Sequence, residues 1–90
     1  MEFDWTLFSG KGVSLEEAAE GFEDPFSVRL WPERGDIAEH SRYFCLGMTL
    51  RGRGVFSVYS TNGKQTKVLT ARELTEEESF FYNRKAREYF

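Results

Sequence analysis

From Arg42 to Ala71 the chain holds a hydrophobic period of two, broken only at two short turn signals, and this run constrains the fold more than any other feature. Three strands are expected, over residues 42–49, 55–60 and 65–71. Arg51-Gly-Arg-Gly54 and Thr61-Asn-Gly-Lys64 separate them. Asn62-Gly63 is a strong hairpin signal, because the type I′ turn it predicts needs positive φ at both central residues. Strands joined this tightly run antiparallel, so the segment reads as a meander.

The flanks add two helices and two further strands. Phe3 and Trp5 alternate with Glu2 and Asp4, the pattern of a short half-buried strand over residues 1–5, and Phe8-Ser-Gly-Lys-Gly12 reads as a turn. Ser14-Leu-Glu-Glu17 is a capping box, opening a helix expected to bury Leu15, Ala18, Ala19 and Phe22 and to end at Gly21 and Asp24-Pro25. Residues 26–31 alternate again, with Phe26, Val28 and Leu30 on one face and Arg29 and Trp31 on the other. Residues 32–41, which include His40, read as a polar loop. A second capping box, Thr75-Glu-Glu-Glu78, opens a last helix, its acids facing the positive end of the helix dipole. Phe80, Phe81, Ala86, Tyr89 and Phe90 are expected to supply that helix's apolar contacts. The expected architecture is a single α+β domain over residues 1–90, in the order β-α-β-β-β-β-α, with two helices packed against a mostly antiparallel sheet.

Composition removes several functional classes. One Cys and one His in 90 residues provide neither a disulfide framework nor an adequate ligand set for structural zinc, so no metal and no cofactor is expected. Cys45 reads as core packing on a strand. No apolar run approaches the roughly 18 residues that span a bilayer, and the acidic, broken start is unlike a signal peptide, so the expected location is cytoplasmic, without membrane contact. The familiar nucleotide, zinc-protease and serine-hydrolase motifs are absent.

Charge is divided unevenly. Residues 1–50 carry four basic against ten acidic side chains, and residues 51–90 carry eight against five. Within the second half, residues 51–72 hold Arg51, Arg53, Lys64, Lys67 and Arg72 and no acid. Such a stretch reads either as an anion-binding face or as strand surfaces charged for solubility and to blunt sheet edges. Arg51, Lys64 and Lys67 are the RNA-binding candidates on the first reading. Glu16-Glu17 and Glu76 to Glu78 read as solvated acids of helix first turns.

Arg42, Arg53 and Arg72 each stand at a strand end, and the meander is expected to bring the Arg42 and Arg72 ends together on one sheet edge. Guanidinium groups bind phosphate bidentately and keep their proton. Metal-free cleavage of RNA needs such groups at the scissile phosphate, one group to take the 2′-hydroxyl proton and one to protonate the leaving oxygen. Lys11, His40 and Tyr82 are the candidates for proton transfer. Lys11 or Tyr82 would need a strongly lowered pKa to act as a base.

Taken in order, Gly12-Val-Ser-Leu-Glu-Glu-Ala18, Phe22-Glu-Asp-Pro25, Arg42 with Leu46-Gly-Met-Thr49, Gly52-Arg53, Val58-Tyr59, Thr70-Ala-Arg72, Thr75-x-x-Glu78 and Tyr82 resemble the BrnT toxin family. The resemblance runs from about Gly12 to Tyr82. It implies a RelE/ParE-like fold, a metal-independent ribonuclease that halts translation, and a BrnA-like antitoxin as partner, with DNA reached only through the toxin–antitoxin complex. Two features depart from the family pattern. Gly10-Lys11 stands where Lys-His is usual, after a shortened segment from Trp5, and Glu76-Glu-Glu78 replaces a basic start to the last helix. The alternatives are therefore a non-catalytic BrnT-like module that binds an antitoxin or another protein, or a small nucleic-acid-binding domain.

Overall fold

The computed structural model describes residues 2–30 and 42–89. Met1, Trp31, the expected loop over 32–41 with His40, and Phe90 lie outside the described residues. The elements are β1 (Glu2–Asp4), β2 (Ser9–Lys11), α1 (Leu15–Glu23), β3 (Val28–Leu30), β4 (Tyr43–Met48), β5 (Gly54–Thr61), β6 (Gln65–Glu73) and α2 (Glu76–Ala86), with a 3₁₀ turn at Arg87–Tyr89. This is an α+β fold whose sheet is mostly antiparallel.

The central strands form as their alternation predicts: β4, β5 and β6 are an antiparallel meander, and β3 adds antiparallel to β4. β1 and β2 both run parallel to β6, one after the other along it, so the sheet order is β1/β2-β6-β5-β4-β3. The segment expected to turn at Phe8 to Gly12 is thus partly a strand. Thr70 Oγ1 donates to the Ser9 carbonyl at 2.7 Å and helps to hold it on β6. Val58 pairs with Thr70 but Tyr59 with Val68, so Leu69 is an extra residue in a bulge.

The β5–β6 hairpin forms with a different turn from the expected type I′. Gly63 has φ 90°, but no non-glycine residue among those described has positive φ. Asn62 instead uses its side-chain oxygen to accept from the backbone N–H groups of Lys64 and Gln65, at 2.9 and 2.8 Å. That local satisfaction of the donors holds the turn without a left-handed Asn.

Each helix begins at its capping box: Ser14 with Glu17, and Thr75 with Glu78, exchange both bonds. The α1 side of the sheet is the drier one. Phe22 and Ala18 pack on Tyr43, Cys45, Val55, Tyr59, Val68 and Ala71. Leu15, expected inside, is 39 % exposed, and Val13 is buried instead. α1 lies very close to β4 at Gly21 and Gly47. A Cβ on Gly47 would stand 2.0 Å from the Gly21 carbonyl oxygen, so the small residue permits the helix to seat.

α2 covers the other face, where Leu46, Leu74 and Tyr82 form a cluster with Phe26, Val28, Leu30, Met48, Phe56, Phe81 and Ala86. Phe26, Val28 and Leu30 do share a face, as expected, while Arg29 on the other side lies with its guanidinium carbon 5.1 Å from the Phe22 ring centre. Phe80, expected to pack inward, is 75 % exposed, and the buried aromatic of this helix is Tyr82. Among the described residues no helix is long and apolar enough to cross a membrane.

Candidate functional site

The three arginines do not converge. β4 and β6 both run antiparallel to β5, hence parallel to each other, so the start of one and the end of the other lie at opposite ends of the sheet. Arg42, exposed just before β4, is near the Tyr43–Tyr59 pair, whereas Arg53 and Arg72 are at the end where Gly54 meets Met48 and Glu73 meets Val55. The expectation of a shared edge fails on strand direction alone.

Arg53 and Arg72 share an end but serve opposite faces. Arg53 lies on the α1 side. Its Nη1 donates to both oxygens of Glu17 at 3.1 and 3.0 Å, Nε donates to Glu73 Oε2 at 2.9 Å, and Nη2 donates to the Gly12 carbonyl at 2.7 Å. One guanidinium therefore ties the start of α1, the chain entering it and the end of β6. The Glu17 carboxyl is held below its ordinary pKa first by the Ser14 N–H it accepts in the capping box and then by Arg53. Arg53 is in turn raised, chiefly by Glu17 and then by Glu73.

Arg72 lies on the α2 side, its guanidinium carbon 4.2 Å from the Phe56 ring centre. Nη1 and Nη2 donate to the two oxygens of Glu78, each at 2.8 Å, and Nη1 also donates to the Glu73 carbonyl. This fork-to-fork pair, stacked on an aromatic ring, is the strongest geometry open to arginine and a carboxylate. It holds the Glu78 carboxyl down at about 2, with Arg72 the largest cause and the Thr75 N–H a lesser one.

Tyr82 is 5 % exposed and donates its hydroxyl hydrogen to Asp24 Oδ2. Burial, and then this hydrogen bond, push its ionisation well above the ordinary tyrosine value. A phenol in that position keeps its proton at neutral pH and is not a base. Asp24 also accepts from the Phe26 N–H on Oδ1 and the Met48 N–H on Oδ2, at 2.9 and 2.8 Å. The carboxylate joins the end of α1 to the turn before β3, to β4 and to α2.

The remaining candidates are scattered. Lys11 is exposed on β2, its Cα paired with that of Arg72. Arg51 is exposed in the β4–β5 turn, and Lys64 in the turn at the other end of β5. Lys67 is exposed on β6 with its Cα paired to Asp4. His40 lies outside the described residues. The basic stretch is therefore divided between two ends of the sheet, and of the three arginines at one end Arg53 and Arg72 face carboxylates.

Burial pushes the Cys45 thiol up to about 11, which makes it an inert core group. Among the described residues no group of His, Cys, Asp and Glu could hold a metal ion. A groove of about 480 Å³ lies between the end of α1, the β4–β5 turn and α2, lined in part by Glu20, Glu23, Phe26, Met48, Leu50 and Tyr82.

Sequence reasoning found the arginines but missed the carboxylates that occupy them. Glu17 and Glu78 were legible only as capping residues, each the third residue of its helix. Both use one carboxylate for the cap and for an arginine delivered by a strand end. Asp24 was legible only as a helix stop.

No protein-family model matches this chain, and no curated protein matches it.

Proposed function

We propose that this chain is a BrnT-like, RelE/ParE-type module of the cytoplasm that works by binding a protein partner, a BrnA-like antitoxin, and not by cutting RNA. The observation that carries this reading is the state of Arg53 and Arg72. The Nη groups of each donate to a carboxylate at hydrogen-bond distance, so a phosphate gripped by them would have to displace Glu17 or Glu78. The electrostatics support the same reading. General base catalysis works best with a pKa near the operating pH. Glu17 and Glu78, the carboxylates beside the guanidinium groups, are both held low, and Tyr82 is held high.

The test is co-expression of the chain with the product of the neighbouring gene, followed by size-exclusion chromatography and incubation of each fraction with RNA in EDTA. A stable complex, with RNA left intact by the free chain, is the expected result. A free chain that cleaves RNA would count against the proposal.

A ribonuclease toxin is the second reading, and one observation favours it: Lys11 and Arg72 are paired across β2 and β6, which puts an exposed ammonium and a guanidinium on one side of the sheet. Cleavage on that basis needs Arg72 to exchange Glu78 for a phosphate. Substitution of Lys11 by Ala would then abolish RNA cleavage while leaving the fold unchanged.

A further inference from the structure

The groove at the end of α1 combines three properties that bear on what it can bind. The first is an apolar wall of Pro25, Phe26 and Met48, with Leu50 standing 89 % exposed at the rim. The second is charge: Glu20 and Glu23 line it beside Asp24, whose carboxylate is already engaged, and among the described residues no Lys or Arg does. The third is the helix itself, which points the negative end of its dipole here and has no basic residue in its last turn. Acids at a helix C-terminus repel that dipole. Arg29 Nη2 already donates to the Phe22 carbonyl at that end at 3.2 Å. Arg29 does not line the groove, however, where Glu20 and Glu23 are the groups that a further cation would meet.

Leu50 is also held in place. Its backbone N–H donates to Glu20 Oε1 at 3.1 Å, and the turn behind it is closed by Thr49 N–H to the Arg53 carbonyl at 2.8 Å and Gly52 N–H to the Thr49 carbonyl at 2.9 Å. An apolar side chain displayed on a fixed turn is pre-organised for contact, which lowers the entropy cost of binding. Arg51 follows it in the chain but does not line the groove.

We infer that this groove receives a cationic segment of a protein partner, one that sets an apolar side chain against Leu50, Phe26 and Met48 and places Lys or Arg beside Glu20 and Glu23. The inference deepens the partner-binding proposal and rests on it. The groove's volume of about 480 Å³ fits an anchoring side chain with its flanks. Because the flanking acids are at the rim, the attraction is screened by salt.

The probe is a short fluorescein-labelled peptide with a central Leu pair flanked by lysines, titrated into the ¹⁵N-labelled full chain at low salt. Two counterpart peptides replace the lysines by glutamates or the leucines by serines. The Lys/Leu peptide is expected to bind and to move the amide signals of Glu23, Phe26 and Leu50, with each counterpart about tenfold weaker or worse. Glu23→Lys and Leu50→Asp should each weaken it by about tenfold, while Glu2→Lys, the same charge change at the far edge of the sheet, should change it by less than about threefold. Both groove positions are exposed, and far-UV circular dichroism of each variant is to be compared with that of the parent as the check on folding.

Equal weakening by Glu2→Lys overturns the inference, since it would report general attraction to an acidic protein. So do amide shifts elsewhere, absence of binding, or a dimer in sedimentation that Glu23→Lys or Leu50→Asp disperses. Groove variants that lose the peptide yet keep the neighbouring gene's product also overturn it, while leaving partner binding intact. RNA cleavage by a chain that still takes the peptide here contradicts the functional proposal and not this one.

Discussion

Tyr82 and Asp24, 58 positions apart, are joined hydroxyl to carboxylate beneath α2, and the same carboxylate takes backbone N–H groups of Phe26 and Met48. Two helices, β4 and the turn before β3 meet at one side chain. Removing the phenol hydroxyl deletes a hydrogen bond to a charged acceptor, and Tyr82→Phe should cost about 2 kcal/mol. Asp24→Ala leaves two backbone donors and the hydroxyl unpaired, and should cost more, about 3 kcal/mol or above. Urea unfolding of the two single variants and the double variant checks this. The double variant should fall short of the sum, because both changes remove the same bond.

The contact between α1 and β4 makes a second prediction. Gly47→Ala would put a methyl group 2.0 Å from the Gly21 carbonyl oxygen, so the helix must lift, at a cost of about 1–3 kcal/mol or more. Gly21→Ala meets nothing nearer than 3.7 Å and gains helix propensity, so it should be neutral or stabilising by up to about 1 kcal/mol. Two glycines that face each other thus respond with opposite sign, read from thermal midpoints.

Acid should weaken the fold through Glu78. Its pKa is lowered from 4.5 to about 2, with Arg72 the largest cause. A carboxyl depressed in the folded state contributes stability above its unfolded pKa and loses it as pH falls toward the folded value. The loss therefore runs from about pH 4.5 down to about 2. Allowing for solvent screening, it is on the order of 1 kcal/mol. Chemical denaturation at pH 5 and pH 3 should show a smaller drop in Glu78→Gln than in the parent.

Arg53→Gln should lower stability and leave any partner complex formed by the folded chain intact. Its guanidinium braces Glu17, Glu73 and the Gly12 carbonyl, and glutamine reaches only a fraction of them. Arg53→Lys should rescue little, because a point ammonium does not reproduce the fork. The unfolding midpoint, beside a titration with the partner, separates the two effects.

The elements that carry their own periodicity were legible in the sequence. β4 to β6 alternate, and both helices carry reciprocal caps, so residue pattern and local hydrogen bonding agree. β2 was not legible, because Ser9, Gly10 and Lys11 are all exposed and a strand without a buried side leaves no alternation. The parallel placement of β1 and β2 depends on β6, some sixty positions away, and no local signal records it. At the candidate site the arginines could be named but not their state. Whether Arg72 faces a phosphate or Glu78 is decided by where α2 comes to rest against β6, and a capping box looks the same in either case.

The most direct measurement is amino-acid incorporation in a bacterial host during induced expression of the parent, beside an Arg53→Gln/Arg72→Gln variant shown to remain folded. Our account predicts that incorporation continues undiminished with the folded parent. Arrest by the parent that disappears in the folded double variant would contradict it, and would show these arginines to be working on RNA.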